Sequence, residues 1–259
     1  MENRPDSAPV PAPDETVPFG YRDVAPEDKA GLVRGVFDSV ATRYDVMNDL
    51  MSGGIHRLWK RSMLDLLRPR AGWTLVDLAG GTGDISFGFL ERVKGEGQAI
   101  VCDLTPAMVA VGRDRAIDRG ILRGVEWIAG DAQSIPLRDG TADAVTMAFG
   151  LRNVTDIGAV LREARRILRP GGRFLVLEFS HVVLPGLDKL YDLYSFNILP
   201  RIGQAVAGDA ESYRYLVESI RRFPPQDELK QRFADQGFVR PAYQNLSGGI
   251  AALHWGWRV

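Results

Sequence analysis

The sequence predicts an α/β fold in which a mostly parallel sheet is covered by helices and finished by an antiparallel hairpin. Three observations carry this prediction. From residue 73 to residue 179, apolar runs of strand length alternate with segments whose apolar residues fall three or four apart, the pattern of parallel strands joined by crossover helices. The run Val76-Asp77-Leu78 enters Ala79-Gly80-Gly81-Thr82-Gly83-Asp84, after which Ile85, Phe89, Leu90 and Val93 recur at helical spacing. That is strand, glycine turn, helix. Near the C-terminus, Arg240 to Leu246 and Ile250 to Trp257 flank Ser247-Gly248-Gly249, which reads as a hairpin.

A chain of 259 residues with 45% hydrophobic content can bury one sizeable core, so a single domain is expected over residues 19–259. The net charge of -1 and pI near 6.3 leave no polybasic footprint, and nucleic acid is excluded as a first partner. Cys102 is the single cysteine; no intramolecular disulfide and no cysteine zinc cluster can form, no metal is expected, and a reducing, cytoplasmic compartment follows. With no apolar leader and no uninterrupted apolar run near the roughly 18 residues that span a bilayer, contact with membrane is expected to be peripheral.

Residues 1–18 carry Pro5, Pro9, Pro11, Pro13 and Pro18 with almost nothing to bury and are expected to form a disordered tail. Leu32, Val36, Phe37, Val40, Tyr44, Met47, Leu50 and Met51 then recur at helical spacing over Asp28 to Met51. A second amphipathic helix spans Ile55 to Leu67, stopped before Pro69. These N-terminal lid helices, within residues 19–70, precede the first core strand. After the glycine turn the expected strands are Ala99 to Asp103, Val125 to Ala129, Asp143 to Phe149 and Arg173 to Phe179. The expected helices are Pro106 to Arg119 and Asp156 to Leu168, and the last strand is launched by the turn Arg169-Pro170-Gly171-Gly172. The stretch 184–223, with Tyr191, Tyr194, Phe196, Tyr213, Tyr215 and Phe223, is longer than a compact sheet requires as a connection and is expected to cover something.

The glycine turn implies a nucleotide-type cofactor, because glycines let backbone approach a ligand and the helix that follows aims unpaired N–H groups at it. An ordinary glycine-punctuated turn stays open on that stretch alone. Two cofactors compete. A dinucleotide fingerprint wants glycine or alanine where Ser86 stands, and Asp84 would repel a pyrophosphate while favouring the positive charges of S-adenosylmethionine. Asp103 ends the next strand where a carboxylate can accept from ribose hydroxyls. Gly130-Asp131-Ala132 follows the third, with Asp131 placed to accept from an adenine amino group or to cap its own turn.

With these stretches in place, the chain resembles the class I S-adenosylmethionine-dependent methyltransferases. Tyr44 to Ser52, Gly54 to Lys60, Phe149-Gly150-Leu151-Arg152-Asn153-Val154-Thr155-Asp156, Leu175 to Ser180, Tyr191 to Phe196 and Ser212 to Phe223 resemble, more narrowly, the quinone-biosynthesis C-methyltransferases, the demethylmenaquinone and 2-methoxy-6-polyprenyl-1,4-benzoquinol methylases. The resemblance implies a Rossmann-like seven-stranded sheet, ring methylation of a polyprenylated quinol, and S-adenosylmethionine held by Gly80, Gly81, Thr82, Gly83, Asp103, Asp131, Ala132 and Ala148. At Ala148 the family often has serine, so a hydroxyl is missing here. Peripheral contact with the inner face of the membrane, a quinone-biosynthesis complex and a homodimer are further partners it implies.

Catalytic candidates are Arg152, Asn153, His56, Tyr44 and Asp45. The resemblance implies a base role for Arg152 acting through water, but a guanidinium stays protonated, and stabilising a phenolate suits it better. Pairing with an acid such as Asp45 or Asp156 is the competing use of Arg152. His56 can serve as acid or base beside Tyr44 and Asp45, or simply cap its helix. Arg162, Arg165, Arg166 and Arg169 form either a solvated face or an approach to anionic lipid. Two other activities stay open at this point, a nicotinamide-dependent oxidoreductase and a non-catalytic S-adenosylmethionine-binding subunit.

Overall fold

A computed structural model describes residues 16–40, 49, 52–186 and 210–259. A short antiparallel ladder comes first, β1 (Val17–Phe19) against β2 (Arg22–Val24). The expected tail therefore ends earlier than Pro18: Val17 and Pro18 are strand residues, while residues 1–15 lie outside the described ones. Helix α1 (Pro26–Val40) and helix α2 (His56–Leu67) follow. Helix α2 stops where Arg68 turns left-handed and returns its N–H to Leu64 O, the usual way a helix end satisfies a last carbonyl.

The main sheet then builds in βα units. These are β3 (Thr74–Leu78), α3 (Asp84–Arg92), β4 (Gln98–Asp103), α4 (Pro106–Asp118), β5 (Val125–Ala129), β6 (Ala142–Ala148), α5 (Ile157–Ile167) and β7 (Leu168–Phe179). Helices α6 (Ala210–Arg222) and α7 (Gln226–Asp235) lead into the hairpin β8 (Val239–Leu246) and β9 (Ala251–Trp257). The seven strands lie in the order β5-β4-β3-β6-β7-β9-β8. The first five run parallel, and β9 and β8 are antiparallel. The order reverses between β3 and β6, so ligands belong beyond the carboxyl ends of those two strands.

Burial explains why β3 is apolar at Leu75, Val76 and Leu78. Its alternate residues enter opposite layers: Leu75 joins Trp59, Met63, Leu64, Leu67 and Phe89 on one face, while Val76 and Leu78 join Val160, Leu161, Ala164 and Phe233 on the other. A strand covered on both faces has no polar face to show. Met63 and Leu67 are fully buried, so truncating either to alanine costs about 2–5 kcal/mol.

Three features differ from the sequence expectation. Strand β7 begins at Leu168, which pairs with Ala142 before a register shift, so Arg169-Pro170-Gly171-Gly172 lies inside the ladder. Gly171 takes φ +84°, and Gly171 and Gly172 exchange backbone hydrogen bonds with Arg258. Helix α7 was unassigned in the sequence, although Leu229 and Phe233 are buried one turn apart. The aromatic stretch divides: Tyr213, Tyr215 and Phe223 are core residues, whereas Tyr191, Tyr194 and Phe196 lie outside the described residues.

Three of the four arginines expected to form a row on and after α5 are held by acids, and Arg165 donates to Gly237 O instead. Arg166 meets Glu163 and Asp139, Arg162 meets Asp156, and Arg169 meets Asp143. That is the solvated, ion-paired face.

Candidate active site at the carboxyl edge of the sheet

The glycine loop is shaped by tight packing at its base. A Cβ on Gly80 would stand 2.7 Å from Val101 Cγ1 and 2.9 Å from Asp77 O, and Gly83 has φ +86° with Trp127 against the space a side chain would fill. Glycine is required at both. Gly83 caps α3, and Asp84 opens its first turn.

Asp103, at the end of β4, ties this loop to the next. Its Oδ2 accepts from Gly81 N–H at 2.8 Å and its Oδ1 from Thr105 N–H at 2.9 Å. Burial pushes its carboxyl up, against the pull of these backbone donors. The Thr105 hydroxyl adds a third donor, and a carboxylate has about four acceptor sites, leaving room for a ribose hydroxyl.

Two cavities flank Ala79, which adopts the left-handed φ of +46° and lines both. The larger, about 730 Å³ and partly open to solvent, includes Gly81, Asp103, Asp131, Ala132, Phe149, Asn153 and, from α1, Val33 and Phe37. Its mixture of apolar wall with a few polar groups suits a small-molecule site. The smaller, about 310 Å³, is lined by Lys60, Asp77, Gly80, Thr82, Asp84, Ile85 and Ala148. Of the expected cofactor residues, Gly81, Asp103, Asp131 and Ala132 line the larger cavity and Gly80, Thr82 and Ala148 the smaller, while Gly83 lines neither. An elongated adenosyl ligand with an amino-acid end fits that division.

Around the smaller cavity the charges are specific. Lys60 Nζ donates to Asp84 Oδ2 at 2.8 Å, Arg115 approaches Asp84 Oδ1 at 4.0 Å, and Arg115 also donates to Thr82 Oγ1 at 2.9 Å. Burial pushes the Asp84 carboxyl up, but Lys60 and Arg115 more than reverse this and hold it below the usual value. Asp77, fully buried, accepts from Ser86 Oγ and Thr146 Oγ1. Burial raises its pKa to about 6 in spite of both hydrogen bonds.

At the tip of β6 the backbone turns sharply, with Phe149 at φ +60°. A Cβ on Gly150 would stand 2.5 Å from the Ala79 Cβ, so the β3 and β6 tips touch only because residue 150 is glycine. The turn delivers Arg152 into the interior, with its side chain 2% exposed beside Glu178 at 1%. Its guanidinium donates to Glu178 Oε1 at 2.7 Å and to Phe149 O at 2.6 Å, and its N–H reaches Glu178 Oε2 at 3.3 Å. The partner of Arg152 is therefore Glu178, not Asp156, which pairs with Arg162. Asn153 faces the larger cavity, and its Oδ1 accepts from Tyr215 Oη at 3.0 Å. With its oxygen so engaged, the amide presents its NH₂ as the free donor.

The other expected residues are placed as follows. His56 is buried at the start of α2, with Nδ1 3.0 Å from Ser52 Oγ and its N–H on the same hydroxyl. Burial, then Lys60, lowers its pKa. Asp131 makes the turn-capping contact, accepting from Gln133 N–H at 2.8 Å and from its side-chain amide at 3.1 Å, while still lining the larger cavity. Tyr44 and Asp45 lie outside the described residues. The sequence missed Glu178, Tyr215 and Lys60. All three lay in stretches the sequence singled out, Lys60 in Gly54 to Lys60, Glu178 in Leu175 to Ser180 and Tyr215 in Ser212 to Phe223, but nothing local marked them as site residues.

A family model described as the ubiE/COQ5 methyltransferase family matches residues 22–258. The ubiquinone/menaquinone biosynthesis C-methyltransferase UbiE of Roseobacter denitrificans is 55% identical over 245 residues, which cover 95% of this chain and 98% of that protein. Its namesake in Bradyrhizobium diazoefficiens is 54% identical over 250 residues, 95% and 99% of the two chains. Among solved structures, an S-adenosylmethionine-dependent methyltransferase from Thermotoga maritima aligns with a TM-score of 0.63 at 18% identity, over 88% of this chain and 100% of that one. Phosphoethanolamine N-methyltransferase 2 of Haemonchus contortus, in complex with S-adenosylmethionine, aligns with a TM-score of 0.57 at 13% identity, over 77% and 52%. At such identities the two structures share the fold. The match in sequence extends instead through the glycine loop, the β6 tip and both terminal regions, and the chain belongs to the ubiE/COQ5 methyltransferase family.

Proposed function

We propose that this protein is an S-adenosylmethionine-dependent C-methyltransferase that methylates the ring of a polyprenylated quinol, 2-methoxy-6-polyprenyl-1,4-benzoquinol or demethylmenaquinol, in ubiquinone and menaquinone biosynthesis. The observation that carries this reading is the likeness to relatives named for that step, 55% identical across 98% of their length. The site supplies chemistry that suits it.

When bound, S-adenosylmethionine supplies an electrophilic methyl group. The chain's part is to hold the donor, hold the ring and stabilise charge on a ring oxygen. Asp103 would receive the ribose hydroxyls, and Asp131 and Ala132 would hold the adenine. Asn153 donates to the ring oxygen through its NH₂, fixed in that sense by Tyr215. Ionising a ring hydroxyl makes the conjugated carbon nucleophilic, so a donor placed there lowers the barrier, and positioning supplies much of the remainder. Arg152, the neighbouring residue, places its guanidinium beside the same turn. Glu178 holds its guanidinium in place. Phe149, Val33 and Phe37 give the cavity its apolar wall and keep water from the ring.

Among the described residues no helix is long and apolar enough to cross a membrane. Peripheral association is the mode we assign, since a polyprenyl tail partitions into lipid. Leu122, 75% exposed, lines a groove bearing Arg57, Arg61, Arg92, Lys94, Arg119 and Arg123, a combination suited to an anionic bilayer surface.

The quinone profile of a strain lacking the gene tests the reading. Accumulation of the demethylated quinone, reversed by the intact gene, is the expected result and identifies the acceptor ring. An unchanged quinone profile would contradict it.

A further inference from the structure

We infer that a second pocket, bounded by Lys29, Arg152, Arg222 and Arg232, binds a small soluble molecule through a phosphate group. The inference goes beyond the methyl-transfer reading and does not depend on it. This pocket and the larger cavity share only Val154 and Thr155 among their wall residues.

Several segments that are distant in the chain meet there. The turn between β1 and β2 contributes Gly20, α1 contributes Lys29, the β6 tip and the loop after it contribute Arg152 and Val154, the end of α6 contributes Arg222, and α7 contributes Arg232. Four basic side chains thus line one pocket. Among the described residues the sole carboxylate in its wall is Asp156, which meets Arg162 at 3.2 Å. The other acids nearby are already engaged: Asp23 by Arg222 at 2.8 Å, Glu228 by Arg232 at 2.7 Å and Glu178 by Arg152 at 2.7 Å. The wall therefore carries an excess of positive charge.

Two of these groups are buried rather than solvated. Lys29 is 3% exposed, and its Nζ donates to Val154 O at 2.7 Å. Among the described residues no carboxylate pairs with it. An ammonium taken out of water without a counter-ion is costly, and burial, then the charge of Arg222, lowers the Lys29 pKa to about 8. Two cations thus act on each other with nothing negative between them to share. The Arg152 side chain is 2% exposed. Its Nη1 serves Glu178 and Phe149 O, but its Nε is buried with no hydrogen-bond partner. A donor left so forfeits its hydration without return.

An oxyanion supplies what both lack, a counter-charge for Lys29 and further acceptor oxygens in the wall. Phosphate suits the arrangement better than a carboxylate, because its oxygens point in several directions and the cations converge from four segments. The depth of Lys29 and Arg152 favours a small ligand over a bilayer surface. Occupation would join α1, which carries Val33 and Phe37, to α6, which carries Tyr215, and so brace two walls of the ring site.

Calorimetric titration of the purified full chain with sodium phosphate, at neutral pH in a phosphate-free buffer, tests the pocket. The wild type is expected to bind one inorganic phosphate. Lys29→Met and Arg222→Met are each expected to weaken it about tenfold or more, the scale of one lost charge-assisted hydrogen bond. Arg123→Met, which removes the same charge from the groove beside Leu122, is expected to leave the affinity within about twofold. A cooperative urea transition with the wild-type slope reports an intact fold in each variant. Absence of phosphate binding by the wild type, unchanged affinity in Lys29→Met, or equal weakening by all three substitutions would overturn the inference. Phosphatidylcholine vesicles containing phosphatidic acid form the second arm. Wild-type chain that binds these vesicles through Lys29 and Arg222 and has no affinity for free phosphate would overturn the soluble ligand.

Discussion

Tyr215 and Glu178 hold the reacting edge of the site without touching the glycine loop. Tyr215 stacks on Phe19 with ring centroids 4.3 Å apart, and burial pushes its phenol pKa up, so it stays protonated and donates to Asn153. Tyr215→Phe keeps the stack and removes the donor. We expect kcat to fall by up to about tenfold, the scale of one net hydrogen bond, with donor affinity unchanged in the same preparation. Glu178→Gln leaves the Arg152 charge buried without its carboxylate, and unfolding by urea is expected to show a loss of about 3–5 kcal/mol. Replacing both, Arg152→Met with Glu178→Leu, should recover most of that stability and none of the activity. Recovery of turnover in the double variant would mean that the pair only holds the loop. None of this was legible in the sequence. Arg152 and Asn153 stood out as a motif, but Glu178 lies 26 residues further along and meets Arg152 only because β6 and β7 are neighbours in the sheet.

At the level of elements, α1 covers the donor cavity and is tied down by a buried lysine. Lys29 Nζ donates to Val154 O at 2.7 Å, in the loop that follows Asn153. Burial, then the charge of Arg222, lowers its pKa from 10.5 to about 8. The folded state therefore binds this proton less tightly than the unfolded chain. The cost is present in full below about pH 8 and is relieved as pH rises from about 8 towards 10.5. Urea midpoints measured at stepped pH across that range should rise in the wild type relative to Lys29→Met, which has no proton to lose. Parallel curves would show that the lysine is not desolvated. The existence of α1 and α2 was plain from apolar spacing, as was nearly every strand. The ends were less so. The period of Leu32, Val36 and Phe37 does not say where α1 stops, and β7 reaches back through Pro170 and Gly171 because Arg258 pairs with the backbone there, a contact between residues far apart in the chain.

For the molecule as a whole, the strand order brings the glycine loop, Asp103 and the β6 tip to one edge, and two cavities meet at Ala79. The sequence predicted the parallel sheet and the closing hairpin because both have local periodicity. It did not reveal that the donor residues divide between two cavities, since that depends on how far Ala79 and Gly150 approach one another across strands. It also named His56 as an acid or base or a helix cap; the ring is buried, with Nδ1 3.0 Å from Ser52 Oγ. The account's central claim is transfer of a methyl group to a ring carbon, and the direct measurement is incubation of the purified chain with methyl-labelled S-adenosylmethionine and a short-tailed demethylated quinol kept reduced. The account predicts one label per ring, on carbon. No incorporation, or label on a ring oxygen, would contradict it.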